Sequence, residues 1–198
     1  MILAAIVALY AGGAALAGET IYTNEEQVYF AGEAGAPVPE WIGIAVAADG
    51  SGARRVDAFG ADVAAPVPGN PSSLTGDRVT LPSGGGTAEL RRARGFSCWV
   101  STKRPDRDQW YFRPGVRLHD QGGKARVISD DAEPVEVTIK LRNVVWPSGP
   151  NRPSLVLYIY AKDDPGRAVS YSWADPGATR IGINLRWMQA SCTLDGSA

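Results

Sequence analysis

The chain has 198 residues, with 20 Lys or Arg against 21 Asp or Glu, so its formal net charge is -1. That balance gives no bulk attraction to nucleic acid or to an anionic membrane, and 44% apolar content is ample for a real core. A structural zinc site needs four Cys/His-type ligands and a catalytic one three, and a chain with one histidine and two cysteines, the latter expected to form a disulfide, does not supply them.

Residues 2–17, "ILAAIVALYAGGAALA", carry no charge, and Ala15-Leu16-Ala17 has the small-x-small form that a signal peptidase accepts. We read 1–17 as a secretory signal peptide and 18–198 as a single β-rich domain. No Lys or Arg precedes the apolar run. The rival reading is a retained anchor, which wants about 20 apolar residues and is weakened by Gly12-Gly13. No later segment is apolar enough to cross a bilayer as a helix. The expected location is the periplasm or outside the cell. Cys98 and Cys192 then face an oxidising environment, and the reading is that they pair in a disulfide. The rival is two buried thiols.

"TNEEQVYFAGEAG" predicts a short helix over 25–33, with Asn24 as cap and Gln27 returning the bond as in a capping box. "GAPVPEW" ends it, because two prolines in three residues cannot continue a helix. From Trp41 the period becomes two. "WIGIAVA", "DGSG" and "RRVDAF" read as a hairpin. Residues 60–76 form a long Pro/Gly/Ser connection. "DRVTL", "TAELRRA" and "FSCWVST" are the next strands. "VEVTIKL" alternates Val135, Val137, Ile139 and Leu141 against Glu136, Thr138 and Lys140, the pattern of a half-buried strand. "SLVLYIYA" is apolar on both faces, as a strand inside a sandwich would be. "AVSYSW" and "IGINLRWMQASC" close the chain. Nine or ten strands spaced by turns predict a mainly β fold, an antiparallel β-sandwich or jelly roll with one N-terminal helix. The alternative is a small closed β-barrel. An outer-membrane barrel fits less well, since several strands are short of the roughly ten residues it needs.

Charge is unevenly spread. Residues 18–90 hold ten acidic and three basic residues, whereas 91–126 hold ten basic and three acidic. The basic block either attracts an anionic ligand or pairs in space with the acidic N-terminal part. No nucleotide-binding glycine motif and no nucleophile elbow is present. A pair of carboxylates, as in glycoside hydrolysis, remains open, with Asp106, Asp108, Asp120, Asp130 and Asp131 as candidates. Most of these sit in turns, where Asp is simply a good turn residue. No cofactor is implied.

"CWVSTKRPDRDQWYFRPGVRLHD" concentrates aromatics, arginines and the lone histidine. Alternation puts Phe96, Cys98 and Val100 on one face of its first strand and Ser97, Trp99 and Ser101 on the other. On its second strand it sets Trp110 and Phe112, assigned to the core, against Tyr111 and Arg113, assigned to solvent. The candidate ligand-binding set is Trp99, Tyr111, Arg113, Arg117, His119 and Asp120, because an aromatic ring beside an arginine suits a sugar or an anion. The function expected is a secreted or periplasmic non-catalytic binding domain for a polysaccharide, an anionic envelope component or a protein. A two-carboxylate hydrolase and a structural assembly subunit are the alternatives. No motif fixes the oligomeric state.

Overall fold

The computed structural model describes residues 18–70, 73–84, 86–104, 106, 108–130, 132–145, 150 and 152–197. The expected leader, the Pro105 turn position and Asp131 lie outside them. Among the described residues no helix is long and apolar enough to cross a membrane.

Among the described residues thirteen strands and one helix follow in chain order. They are β1 (Glu19–Thr23), α1 (Glu25–Glu33), β2 (Gly43–Ala47), β3 (Ala53–Val56), β4 (Arg78–Ser83), β5 (Gly86–Arg92), β6 (Gly95–Lys103), β7 (Trp110–His119), β8 (Gln121–Ile128), β9 (Glu136–Val144), β10 (Ser154–Ala161), β11 (Ala168–Ala174), β12 (Arg180–Asn184) and β13 (Met188–Leu194). They build three open antiparallel sheets, ordered β3-β2-β1-β5-β4, β11-β10-β9-β8 and β12-β13-β6-β7.

The last two sheets form the sandwich. Phe96, Cys98, Val100 and Leu118 from one meet Val137, Ile139, Leu141, Leu155, Leu157 and Ile159 from the other in one buried cluster. Alternation dictates this, because every second residue of β9 and β10 is a large aliphatic. Each such side chain stabilises by roughly 1.5–3 kcal/mol when fully buried. The chain runs as a meander around both sheets. It changes sheet at Asp120, between β7 and β8, and again between β11 and β12. Among the described residues no ladder joins those strands, so the barrel stays open. Cys98 and Cys192 stand directly opposite each other on β6 and β13 and are disulfide-bonded.

The five-stranded sheet has its own core. Tyr22, Ile42, Ile44, Leu81, Ala88 and Leu90 lie under Leu74 of the long connection. The Tyr22 hydroxyl fastens that connection by hydrogen bonds to the carbonyls of Leu74 and Gly76, at 3.3 and 3.0 Å.

Helix α1 spans the predicted residues, but its predicted cap is used elsewhere. Asn24 donates from Nδ2 to the Glu40 carbonyl at 2.8 Å and accepts from the Ile42 amide at 2.6 Å. Gln27 likewise bonds Thr87 and Glu89 on β5. Both side chains dock the helix on strands instead of closing its first turn. The Thr23 hydroxyl, 3.3 Å from the Glu25 amide, stands in as cap.

The faces of β7 are the reverse of those predicted. Tyr111 packs against the sandwich core, whereas Trp110 and Phe112 are exposed. The cause is a β-bulge. Cys98 pairs with Val116 but Val100 pairs with Arg113, so β7 holds one extra residue there. Gly115 takes the positive φ of 69° that such a bulge uses. Val116 and Leu118 point inward on one side of it, and alternation resumes out of phase on the other.

Candidate functional site

The residues expected to bind do not converge. Trp99 is half-buried on the outer face of β6, with its ring 5.9 Å from that of Phe112. Arg113 is exposed beside the bulge. Arg117 is tied to Asp195 at 2.6 Å. His119 and Asp120 are buried at the corner between the two sheets. The Asp120 carboxylate accepts from the Arg94 amide at 2.9 Å and from its Nε at 2.6 Å, and the Asp120 carbonyl accepts from the Asn143 amide at 2.6 Å. Asp120 therefore clips β5–β6 to the β7–β8 corner.

Burial lowers the pKa of His119 to about 4, and the nearby Lys140 charge adds to that, so the ring is neutral at physiological pH. Arg117 and His119 do share a cleft of about 530 Å³ with Arg92, Arg94, Asp77 and Asp195. Its Arg94 and Arg117 are already answered by Asp120 and Asp195.

Much of the basic block is neutralised in the same way. Lys103 pairs with Asp108, Arg104 with Asp106 and Glu133, Arg126 with Glu136, and Arg91 with Glu26 of α1. Of these partners only Glu26 comes from the acidic N-terminal part. The candidate acids of a hydrolase are thus largely ion-pair partners. Lys103 holds the Asp108 carboxyl below its ordinary pKa, the opposite of what a general acid requires.

The outer face of the β8–β11 sheet carries a different constellation. Cross-strand partners share a face. One rung reads Arg142, Val156, Trp173, and the next reads Lys140, Tyr158, Tyr171. A third carries Thr138 and Tyr160. The Tyr158 and Tyr171 rings lie 6.3 Å apart, and those of Tyr158 and Tyr160 lie 6.4 Å apart. Trp173 is 71% exposed, Tyr171 64% and Val169 50%. Four aromatic rings thus lie side by side on adjacent strands, with the outermost two open to solvent.

Toward β8 and β9 the same face turns cationic. Lys124 stands opposite Lys140, and Arg126 opposite Thr138. Helix α1 covers part of this half through Glu25, which is buried. Its carboxylate takes Lys140 Nζ at 2.6 Å, Arg142 Nη1 at 3.5 Å and Trp41 Nε1 at 3.0 Å. The Arg142 guanidinium lies 3.6 Å from the Tyr29 ring centroid and 5.7 Å from that of Tyr158, a stacked cation between helix and sheet. Gly122, with φ of 85°, permits this approach, because a Cβ there would meet the Glu25 carboxyl at 2.5 Å.

Burial, above all, raises the pKa of Tyr158 and of Tyr160, so both phenols stay protonated and can donate hydrogen bonds. Desolvation lowers that of Lys140, against the pull of Glu25.

The arrangement offers flat apolar rings with polar rims, the chemistry that holds the C–H face of a sugar and hydrogen-bonds its edge. Sequence reasoning did not select these residues. The signal was present: "LVLYIYA" and "VSYSWA" place aromatics where a half-exposed strand should carry polar side chains. Compared with family models, with curated proteins and with solved structures, the chain matches none.

Proposed function

We propose that this chain is a non-catalytic glycan-binding domain of the periplasm or extracellular space, and that the outer face of β10 and β11 is its platform. The observation that carries the reading is the cross-strand pair Tyr158 and Tyr171, flanked on neighbouring rungs by Tyr160 and Trp173, with Tyr171 and Trp173 open to solvent. Contiguous exposed apolar surface rimmed by polar groups marks an interaction site. Planar rings on a rigid sheet bind with little ordering cost, which favours a repeating, flat ligand such as a polysaccharide. The disulfide supports export, since such bridges persist in oxidising compartments.

The test is affinity electrophoresis against a panel of soluble polysaccharides, followed by calorimetry with any that retard the protein. The reading expects retardation by at least one, abolished in Trp173→Ala/Tyr171→Ala and kept in Phe112→Ala, which removes an equally exposed ring from the opposite sheet. Retardation that survives the double substitution would sink it.

A second reading, an assembly subunit, draws on β11 being an edge strand that carries Val169, Tyr171 and Trp173 outward. It expects a mass that rises with concentration and falls back on the same double substitution.

A further inference from the structure

We infer that the ligand class is an acidic glycan, one bearing uronate or comparable anionic groups, and that it lies across the strands from the Trp173 end to the Lys124–Arg126 end. This rests on the glycan reading of the same face. The platform is not uniform. Its β10–β11 half is aromatic and open, whereas its β8–β9 half carries Lys124, Arg126, Lys140 and Arg142 on the same side of the sheet. Among the described residues, the carboxylates paired to these four cations are those of Glu25 and Glu136. The surplus is positive, in a chain whose overall charge is slightly negative.

Of these four, the cations accessible to a ligand are the two on β8. Lys140 and Arg142 are held under α1 by Glu25, but the Arg126 side chain is more than half exposed and Lys124 is half-buried. Both rest against one ring, Phe59, with each charge 5.9 Å from its centroid. That shared ring sits beside β8, where the Ala58 carbonyl accepts from the Lys124 amide at 2.7 Å. Strands are spaced about 4.8 Å apart, so the route from β11 to β8 spans roughly 14 Å, enough for a short oligosaccharide. Because α1 covers Lys140 and Arg142, that route passes over the rung of Tyr160, Thr138 and Arg126, whose side chains are half-buried or exposed. Sugar rings would stack on Trp173, Tyr171 and Tyr158. An anionic substituent further along the chain would reach Arg126 and Lys124, where a carboxylate can take two guanidinium N–H donors side by side.

The experiment compares an acidic polysaccharide with its carboxyl-reduced, neutral form, by calorimetry on the folded full domain at low and at high salt. The wild type is expected to bind the acidic form at least tenfold more tightly at low salt, with the gap closing as salt rises. Lys124→Gln/Arg126→Gln is expected to bind both forms equally, at the affinity of the wild type for the neutral one, with an unchanged melting temperature. Equal affinity for the two forms in the wild type overturns the inference and leaves the glycan reading standing. A preference that survives in Lys124→Gln/Arg126→Gln also overturns it. Failure of the wild type to bind either form, or self-association that Trp173→Ala abolishes, overturns both.

Discussion

Tyr158 and Tyr171 stand directly opposite each other on β10 and β11, their rings 6.3 Å apart on the solvent side of the sheet. The inner ring is half-buried and the outer one is exposed, so the pair behaves as a fixed support and a working surface. Tyr171→Ala should therefore cost affinity rather than stability. We expect roughly a tenfold loss of glycan affinity, the scale of one stacking contact worth about 1.4 kcal/mol. The unfolding midpoint should stay within about 0.5 kcal/mol of wild type, as for other exposed substitutions. Calorimetry and urea unfolding on the same preparation check both.

Glu25 makes the opposite case. Among the described residues it is the carboxylate that answers Lys140, Arg142 and Trp41 at the seam of α1 and the sandwich. Glu25→Gln would leave two nearly buried cations without an answering charge. Removing one partner of a buried pair typically costs about 3–5 kcal/mol, and urea denaturation should show a loss of that order. A loss below about 1 kcal/mol would mean that water reaches the seam.

Burial depresses the pKa of His119 to about 4 in the folded chain, against 6.5 for the free side chain. The sign follows from proton counting. Between those two values the unfolded chain binds a proton that the folded chain refuses. The contribution of neutral His119 is complete above pH 6.5 and is lost as pH falls toward 4, by about 3 kcal/mol in all. Urea midpoints measured across that range should fall, and they should fall less steeply in His119→Gln. Identical slopes in the two proteins would assign the pH dependence to other groups.

The architecture of the sandwich was largely readable, and its exceptions have physical causes. Val137, Ile139 and Leu141 announce β9 because only one of its faces is core. Tyr111 was misassigned because Pro114-Gly115 lets the chain bulge, and alternation cannot be carried across an inserted residue. Gln121-Gly122-Gly123 has the composition of a turn, yet it opens β8. Glycine there serves the close approach of Glu25 and of His119, a constraint imposed by elements distant in the chain. Strands β2 to β5 of the five-stranded sheet were readable, but β1, which joins them, was not, since it is only five residues long and takes its identity from its neighbours β2 and β5. The aromatic face was overlooked because an apolar residue on both sides of β10 also describes a strand with nothing but core around it.

The bridge from Cys98 to Cys192 closes a loop of 94 residues. The chain-entropy model assigns such a loop about 4–5 kcal/mol, above the typical 2–4 and at the top of the full range of about 0–5. Cys98→Ala/Cys192→Ala should lower stability by an amount in or near that range while leaving glycan affinity intact, because the bridge lies in the sheet opposite the platform. Intact mass with and without reductant checks the bond itself, and denaturation of the double variant checks its worth.

We propose the exposed rings of β10 and β11 as a sugar-binding surface. Calorimetric titration of the folded wild-type protein and of Trp173→Ala with one retarding polysaccharide tests it most directly. The account predicts saturable binding in the first, and at least a tenfold weaker affinity at unchanged melting temperature in the second. Equal affinities in the two proteins would contradict it.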